Sequence, residues 1–118
     1  MSKRAPKLYF QDILTAIDDI ENFTQGMIYD SFLSDKKTVQ AVTRSLEIIG
    51  EAASHMSVEI RTKYPDLPWE KMTSMRNKVL HEYFGIDEEV IWQTITEDLQ
   101  PLKEKIKSLS ELSDTSQS

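Results

Sequence analysis

Apolar residues recur at intervals of three and four along most of the chain, which is the period of an amphipathic α-helix. The first such segment runs from about Lys7 to Thr24, and the second runs from about Asp35 to Met56. A third is predicted from about Pro68 to Phe84, and a fourth follows an expected N-cap at Asp87. No segment alternates like a β-strand. The pattern predicts an all-α fold, a four-to-five-helix up-and-down bundle.

Turn-forming residues and prolines divide these segments. Residues 26–34 are predicted to be a connection, and Pro65 and Pro68 bracket a break before the third helix. Pro101 lies inside the fourth helix and predicts a kink near residues 97–101. From Ser110 onward the chain is polar and rich in serine. We therefore predict a single helical domain over residues 1–109 and a disordered polar tail over residues 110–118.

Gly50 stands in the middle of the second predicted helix, where a glycine costs up to about 1 kcal/mol relative to alanine. Ala53 and Ser54 follow within about one turn and give a patch of small side chains. Either another backbone approaches the helix closely at this patch, or the glycine is simply tolerated.

The composition narrows the possible chemistry. The chain has 118 residues and no cysteine, so disulfides, thiolate metal sites and cysteine nucleophiles are excluded. Its formal charge is −6, which argues against a broad nucleic-acid-binding surface but permits a local cationic pocket for one phosphate. No apolar run has the length of a signal peptide or a membrane span. We expect a cytoplasmic protein with no membrane partner.

Arg76 is the anomaly of the third helix, because it lies on an otherwise apolar face. That face carries Met72, Arg76, Val79, Leu80 and Tyr83. A cation there needs a carboxylate, a partner chain or an anionic ligand. The simplest partner is a carboxylate of the second helix, either Glu47 or Glu51. Those two glutamates and Arg44 share one helix face and are interpreted either as an ion-pair ladder or as part of a site.

His81 follows Arg76 by five residues, about 140° around an ideal helix. A histidine at that place either caps the helix or takes part in catalysis. On one regular helix the two side chains would not converge, so their convergence requires a distortion near Gly85 or a second copy of the helix. This geometry favours a site at the cleft of a homodimer.

Arginine and histidine together suit the cleavage of RNA. The ribose 2′-hydroxyl loses a proton and the leaving 5′-oxygen gains one, and histidine can serve either transfer. Arginine offers a planar set of donors to the phosphate oxygens. No metal or other cofactor is predicted, because His55 and His81 lie in different segments and no metal-ligand motif is present.

These residues resemble those of a known family. Residues 76–83 read RNKVLHEY and match R-x4-H-x-Y, a form of the motif of HEPN domains. The segments LEIIGEA (46–52), LPW (67–69) and HEYFG (81–85) resemble the HepT-type toxins of that superfamily. The resemblance covers roughly residues 7–108.

The resemblance implies a HEPN-like homodimer that acts as a metal-independent endoribonuclease, the toxin of a toxin–antitoxin system. Arg76 would bind the phosphate, His81 would be the general acid and base, and Asn77 would support them. The implied antitoxin partner is a minimal nucleotidyltransferase that transfers AMP to Tyr83. Two alternatives stay open: a non-catalytic nucleotide- or partner-binding HEPN module regulated by a nucleotidyltransferase, and a purely structural helical dimer.

The remaining aromatic and basic residues are not predicted to belong to a functional site. Tyr9, Tyr29 and Tyr64 have no motif context and are predicted to be packing or surface residues. Lys103, Lys105 and Lys107 are predicted to form a solvated face.

Overall fold

The computed structural model describes residues 4–77 and 87–113, and within those ranges every regular element is helical. The all-α prediction is confirmed. The elements are α1 (Pro6–Phe23), α2 (Tyr29–Ser34), α3 (Lys36–Ser54), α4 (Val58–Lys63), α5 (Trp69–Asn77), α6 (Glu88–Gln93), a π-helical turn (Thr94–Asp98), α7 (Leu99–Lys107) and α8 (Ser110–Ser113). Across the described ranges no helix is long and apolar enough to span a membrane.

The long helix α3 forms the centre of the fold, because it packs against both α1 and α5. Its apolar face and that of α1 supply fully buried side chains at the predicted helical spacing. They include Phe10, Ile13 and Ile17 of α1 and Val42, Leu46 and Ile49 of α3, all 0% exposed. The two faces predicted from the sequence therefore form the main core.

The last long helix consists of α6, the π-helical turn and α7 in direct succession. The predicted N-cap is confirmed, since the Asp87 side chain accepts hydrogen bonds from the backbone N–H groups of Glu89 (3.1 Å) and Val90 (3.2 Å). The disturbance predicted near residues 97–101 takes the form of the π-helical turn Thr94–Asp98. Because Pro101 has no amide hydrogen, the carbonyl of residue 97 lacks its α-helical partner.

The connection predicted at residues 26–34 is wrong in its second half, which is α2. Ser31 accepts a hydrogen bond from the backbone N–H of Ile28 at the start of this helix (3.0 Å). Phe32 is fully buried, and its ring packs against Trp92 with centroids 5.0 Å apart. One buried residue in so short a helix gives no periodicity, so the sequence pattern did not reveal it.

The short helix α4 lies in the predicted break between α3 and α5. Its N-cap, Ser57, accepts a hydrogen bond from the backbone N–H of Ile60 (3.2 Å). Arg61 donates to the carbonyl oxygens of Ala53 (3.1 Å) and Met56 (3.3 Å), which lie at and just after the end of α3. These bonds hold α4 against the C-terminus of α3.

The prediction of a disordered tail from Ser110 is wrong for its first residues, which form α8. The Tyr64 hydroxyl lies 2.8 Å from the Ser110 hydroxyl and donates to the Glu111 carboxylate, also at 2.8 Å. Lys63 pairs with the same carboxylate at 2.7 Å and, together with Tyr64, lowers the pKa of Glu111. These contacts with α4 hold a segment whose own sequence is too polar to predict order. Residues 114–118 lie outside the described ranges.

Lys103 contradicts the prediction of a solvated lysine face. Only 18% of its side chain is exposed, and its ammonium group pairs with Glu21 (2.9 Å) and Asp18 (3.1 Å) of α1. The hydrogen bonds to these carboxylates raise the pKa of Lys103. The pairs cross from α7 to α1, a tertiary contact that the spacing of the lysines could not reveal.

Candidate active site

The backbone of α5 approaches α3 closely at Gly50. A Cβ atom placed on Gly50 would lie 2.6 Å from the Cβ of Arg76 and 2.9 Å from its Cα. Real side chains do not tolerate such distances, so only glycine fits at this position while α5 stays in place. The close approach predicted from the small-residue patch is confirmed. Gly50 thereby sets where the backbone of Arg76 lies.

The guanidinium group of Arg76 reaches back onto α3. Its Nη1 donates to Oε1 of Glu51 (2.9 Å) and to the hydroxyl of Ser54 (3.2 Å). The predicted salt bridge is therefore present with Glu51, whereas Glu47 pairs with Arg44 on its own helix (3.0 Å). The Arg76 side chain is still 37% exposed, so the ion pair does not bury the charge.

Glu51 divides its carboxylate between two partners. Its Oε1 accepts from Arg76, and its Oε2 lies 3.0 Å from Nε2 of His55, one turn further along α3. The hydrogen bond from Arg76, and after it the one with His55, lowers the pKa of Glu51. Both oxygens of an exposed carboxylate are thus held in place, and the carboxylate bridges α5 and the end of α3.

His55 is in turn positioned by α1. Its ring stacks on Tyr9 with centroids 5.6 Å apart and planes inclined by 18°. The guanidinium of Arg4 lies 4.7 Å from the centroid of the same tyrosine and pairs with Asp12 (2.8 Å). Tyr9 was predicted to be a packing or surface residue, and the sequence did not indicate that its packing partner is His55. The contact of His55 with Glu51 joins residues four apart, a helical spacing that is visible in the sequence, whereas its contact with Tyr9 is not.

An open groove of about 470 Å³ runs between α1 and α3 beside these contacts. It is lined by Arg4, Tyr9, Asp12, Arg44, Glu47, Ile48, Glu51, Ala52 and His55. Both acidic and basic side chains line it, so the groove is not a cationic channel. It leaves Glu51 and His55 open to solvent.

Of the other predicted site residues, only Asn77 lies within the described part of the chain. Asn77 is the last residue of α5 and directly follows Arg76. His81 and Tyr83 lie outside the described residues, so the convergence of Arg76 with His81 stays a prediction. Within residues 4–77 and 87–113, no three histidine, aspartate or glutamate side chains are grouped so that they could hold a metal ion.

Comparison with known proteins places the chain in a family. The family model described as "Ribonuclease HepT-like" matches residues 13–109. "Probable ribonuclease HepT" of Thermococcus cleftensis is 46% identical over 107 residues, which cover 91% of this chain and 97% of that protein. "Putative RNase MJ0127" of Methanocaldococcus jannaschii is 42% identical over 113 residues, covering 92% and 93%. No solved structure matches. The chain belongs to the HepT-like ribonuclease family.

Proposed function

We propose that this protein is a metal-independent endoribonuclease and the toxin component of a toxin–antitoxin system. The observation that carries the proposal is that Arg76, in a chain of the HepT-like ribonuclease family, is held in place and yet exposed to solvent. Its backbone is fixed against Gly50 and its Nη1 is held by Glu51 and Ser54, yet more than a third of the side chain is exposed. A cation held in place and open to solvent can receive a phosphate group.

In the proposed reaction, the ribose 2′-hydroxyl attacks the adjacent phosphorus and the bond to the 5′-oxygen breaks. The products are a 2′,3′-cyclic phosphate and a 5′-hydroxyl. Arg76 binds the phosphate oxygens and stabilises the charge that develops on them. His81 takes the proton of the 2′-hydroxyl or returns one to the 5′-oxygen, and Asn77 supports the phosphate contact.

The proposal places the site at the cleft of a homodimer. Arg76 and His81 are separated by about 140° on an ideal helix, so one regular helix does not bring their tips together. Two copies of the motif that face each other would bring an arginine and a histidine to the same phosphate. The substrate is then an RNA strand that lies across both subunits.

A minimal nucleotidyltransferase is the proposed antitoxin. The Tyr83 hydroxyl oxygen attacks the α-phosphorus of ATP, a phosphodiester bond to AMP forms, and pyrophosphate leaves. The bulky anionic adduct excludes RNA from the cleft by its volume and its charge.

The first test is RNA cleavage in the presence of a metal chelator. We expect the wild-type protein to cut RNA and leave cyclic phosphate ends, and we expect His81→Ala to be slower by about 100- to 10,000-fold, the usual contribution of a general acid or base. The products are resolved on sequencing gels, and circular dichroism checks that the variant is folded. Equal rates for the two proteins would reject the role of His81, and an inactive wild type would favour the non-catalytic module.

The second test addresses the modification. With ATP and a partner nucleotidyltransferase, intact-mass spectrometry should show the addition of AMP to the wild-type chain, with fragment spectra that place it on Tyr83. Tyr83→Phe should stay unlabelled, because phenylalanine has no hydroxyl to attack the phosphorus. Tyr64→Phe is the matched control, since the Tyr64 hydroxyl is already engaged with α8. Equal labelling of Tyr83→Phe and wild type would exclude Tyr83 as the acceptor.

A further inference from the structure

We propose that Glu51 is the positioning residue for Arg76. It holds one edge of the guanidinium so that the other edge meets the phosphate. The inference rests on the proposed ribonuclease function and adds a role for a carboxylate outside the R-x4-H-x-Y motif. Its basis is a continuous set of contacts from α5 through α3 to α1, formed by Arg76, Glu51, His55 and Tyr9.

The hydrogen bonds of Arg76 explain which edge is presented. Both contacts that it makes with the described residues use Nη1, one to the Glu51 carboxylate and one to the Ser54 hydroxyl. A guanidinium group carries further N–H donors on Nε and Nη2, arranged in the same plane. That second edge has the geometry for two parallel hydrogen bonds to a phosphate. Glu51 and Ser54 therefore fix the plane without using the edge that a phosphate needs.

The Glu51 carboxylate is itself held in its orientation by contacts on the side away from Arg76. His55 engages Oε2 at 3.0 Å, and the imidazole ring is stacked on Tyr9 of α1. Without these contacts, the glutamate side chain would be free to rotate on the surface of α3. With them, the position of the Arg76 guanidinium is fixed relative to α3 and α1 as well as to its own helix, α5. This arrangement reduces the rotamer freedom that a free arginine would lose when it binds its ligand.

A role in stability alone does not account for the arrangement. The Glu51 side chain is 52% exposed and Arg76 is 37% exposed, and ion pairs at such positions contribute little to folding. Glu47 is the natural comparison, because it lies one turn earlier on the same helix and also forms an ion pair, with Arg44 at 3.0 Å. Among the described contacts, Glu47 has none with α5. The two carboxylates thus differ in their partners outside the Arg44 pair, because only Glu51 contacts Arg76 and His55.

The experiment compares Glu51→Gln and Glu51→Ala with the matched control Glu47→Gln. The amide of Glu51→Gln keeps the shape but weakens a charge-assisted hydrogen bond, so we expect kcat to fall about tenfold. Glu51→Ala removes the support, and misplacement of a catalytic group by about 1 Å costs about 100-fold. We expect KM to change less than kcat, since Arg76 acts most strongly on the charge of the transition state. Glu47→Gln should behave as wild type.

Side-chain NMR gives a second readout that does not depend on activity. The chain contains only the arginines Arg4, Arg44, Arg61 and Arg76, so their guanidinium ¹⁵N–¹H signals can be assigned by substitution. In the wild type, the Nη groups of Arg76 should rotate slowly about the Cζ–Nε bond, because Glu51 and Ser54 hold one of them. In Glu51→Gln the rotation should become faster, and in Glu47→Gln it should stay slow.

Slow rotation that is lost together with kcat in the Glu51 variants supports the proposal. Two results would overturn it: Arg76 signals that do not respond to Glu51→Gln, or a kcat for Glu51→Ala equal to that of Glu47→Gln. If the wild type cuts no RNA while the Arg76 signals respond as expected, the ribonuclease proposal fails and the positioning of Arg76 by Glu51 stands. The two failures are therefore distinguishable.

Discussion

Arg76→Ala is expected to cleave RNA about 100- to 1,000-fold more slowly than the wild type, the usual cost of removing one donor that stabilises developing negative charge. The loss should appear with little change in thermal stability, because both partners of the ion pair between Arg76 and Glu51 are more than a third exposed. Cleavage rates and melting curves of the two proteins measure both quantities. Arg44→Ala removes the same charge from a side chain that is 68% exposed, and it should stay close to the wild-type rate.

Mixing Arg76→Ala with His81→Ala determines whether the site is shared between subunits. If each site takes its arginine from one subunit and its histidine from the other, a mixed dimer contains one intact site, and activity returns on mixing. If both groups belong to one subunit, every site in the mixture is defective and the activity stays low. Light scattering on the same samples reports whether dimers are present. A monomeric wild type with full activity would contradict the proposed cleft.

Gly50→Ala is expected to harm the protein although alanine favours helices by about 1 kcal/mol over glycine. The added Cβ would meet the Cα and Cβ of Arg76, which belong to a helix and cannot swing away. Overpacking of this kind costs about 1–3 kcal/mol, so urea denaturation should show a net loss of stability. Because α5 must shift at the residue that binds phosphate, we also expect kcat to fall about 100-fold.

Gly26→Ala is the control that separates a general loss of folding stability from a displacement of Arg76. Gly26 has a φ of 78°, and a Cβ there would meet nothing within 4 Å. Alanine in that conformation costs about 1–2 kcal/mol, which is comparable to the expected cost at Gly50. The Gly26 variant should lose stability while its kcat stays near that of the wild type at temperatures where it is folded. Equal losses of kcat in the two variants would contradict a local effect at Gly50.

The parts of the fold that depend on local pattern were predictable from the sequence. The apolar spacing in α1 and α3 gave their approximate bounds and their buried faces, and Asp87 gave a helix start. The pattern failed where a tertiary contact decides the structure. The helix α2 depends on the burial of Phe32 against Trp92, and α8 depends on bonds from α4. Neither contact produces a periodic pattern of apolar residues that could be recognised in the sequence.

The candidate site divides in the same way. An arginine on an apolar face called for a carboxylate, a partner chain or an anionic ligand, and Glu51 was one of the two carboxylates named. The sequence could not choose between Glu47 and Glu51, because the choice depends on how far α5 lies along α3, which Gly50 determines. The stacking of His55 on Tyr9 joins positions 46 residues apart on separate helices, and no local rule connects them. The roles of His81 and Tyr83 depend on the resemblance alone.

The attachment of α8 has a practical consequence for anyone who labels this protein. The family match ends at residue 109, yet Glu111 and Ser110 anchor the following turn to Lys63 and Tyr64. A fluorophore or affinity tag joined after residue 113 would therefore start beside α4 instead of at the end of α7. A chain cut at residue 109 would retain the whole family segment but leave Lys63 and Tyr64 without these partners. Such a shortened form is therefore a poor substitute for the 118-residue chain in binding or stability measurements.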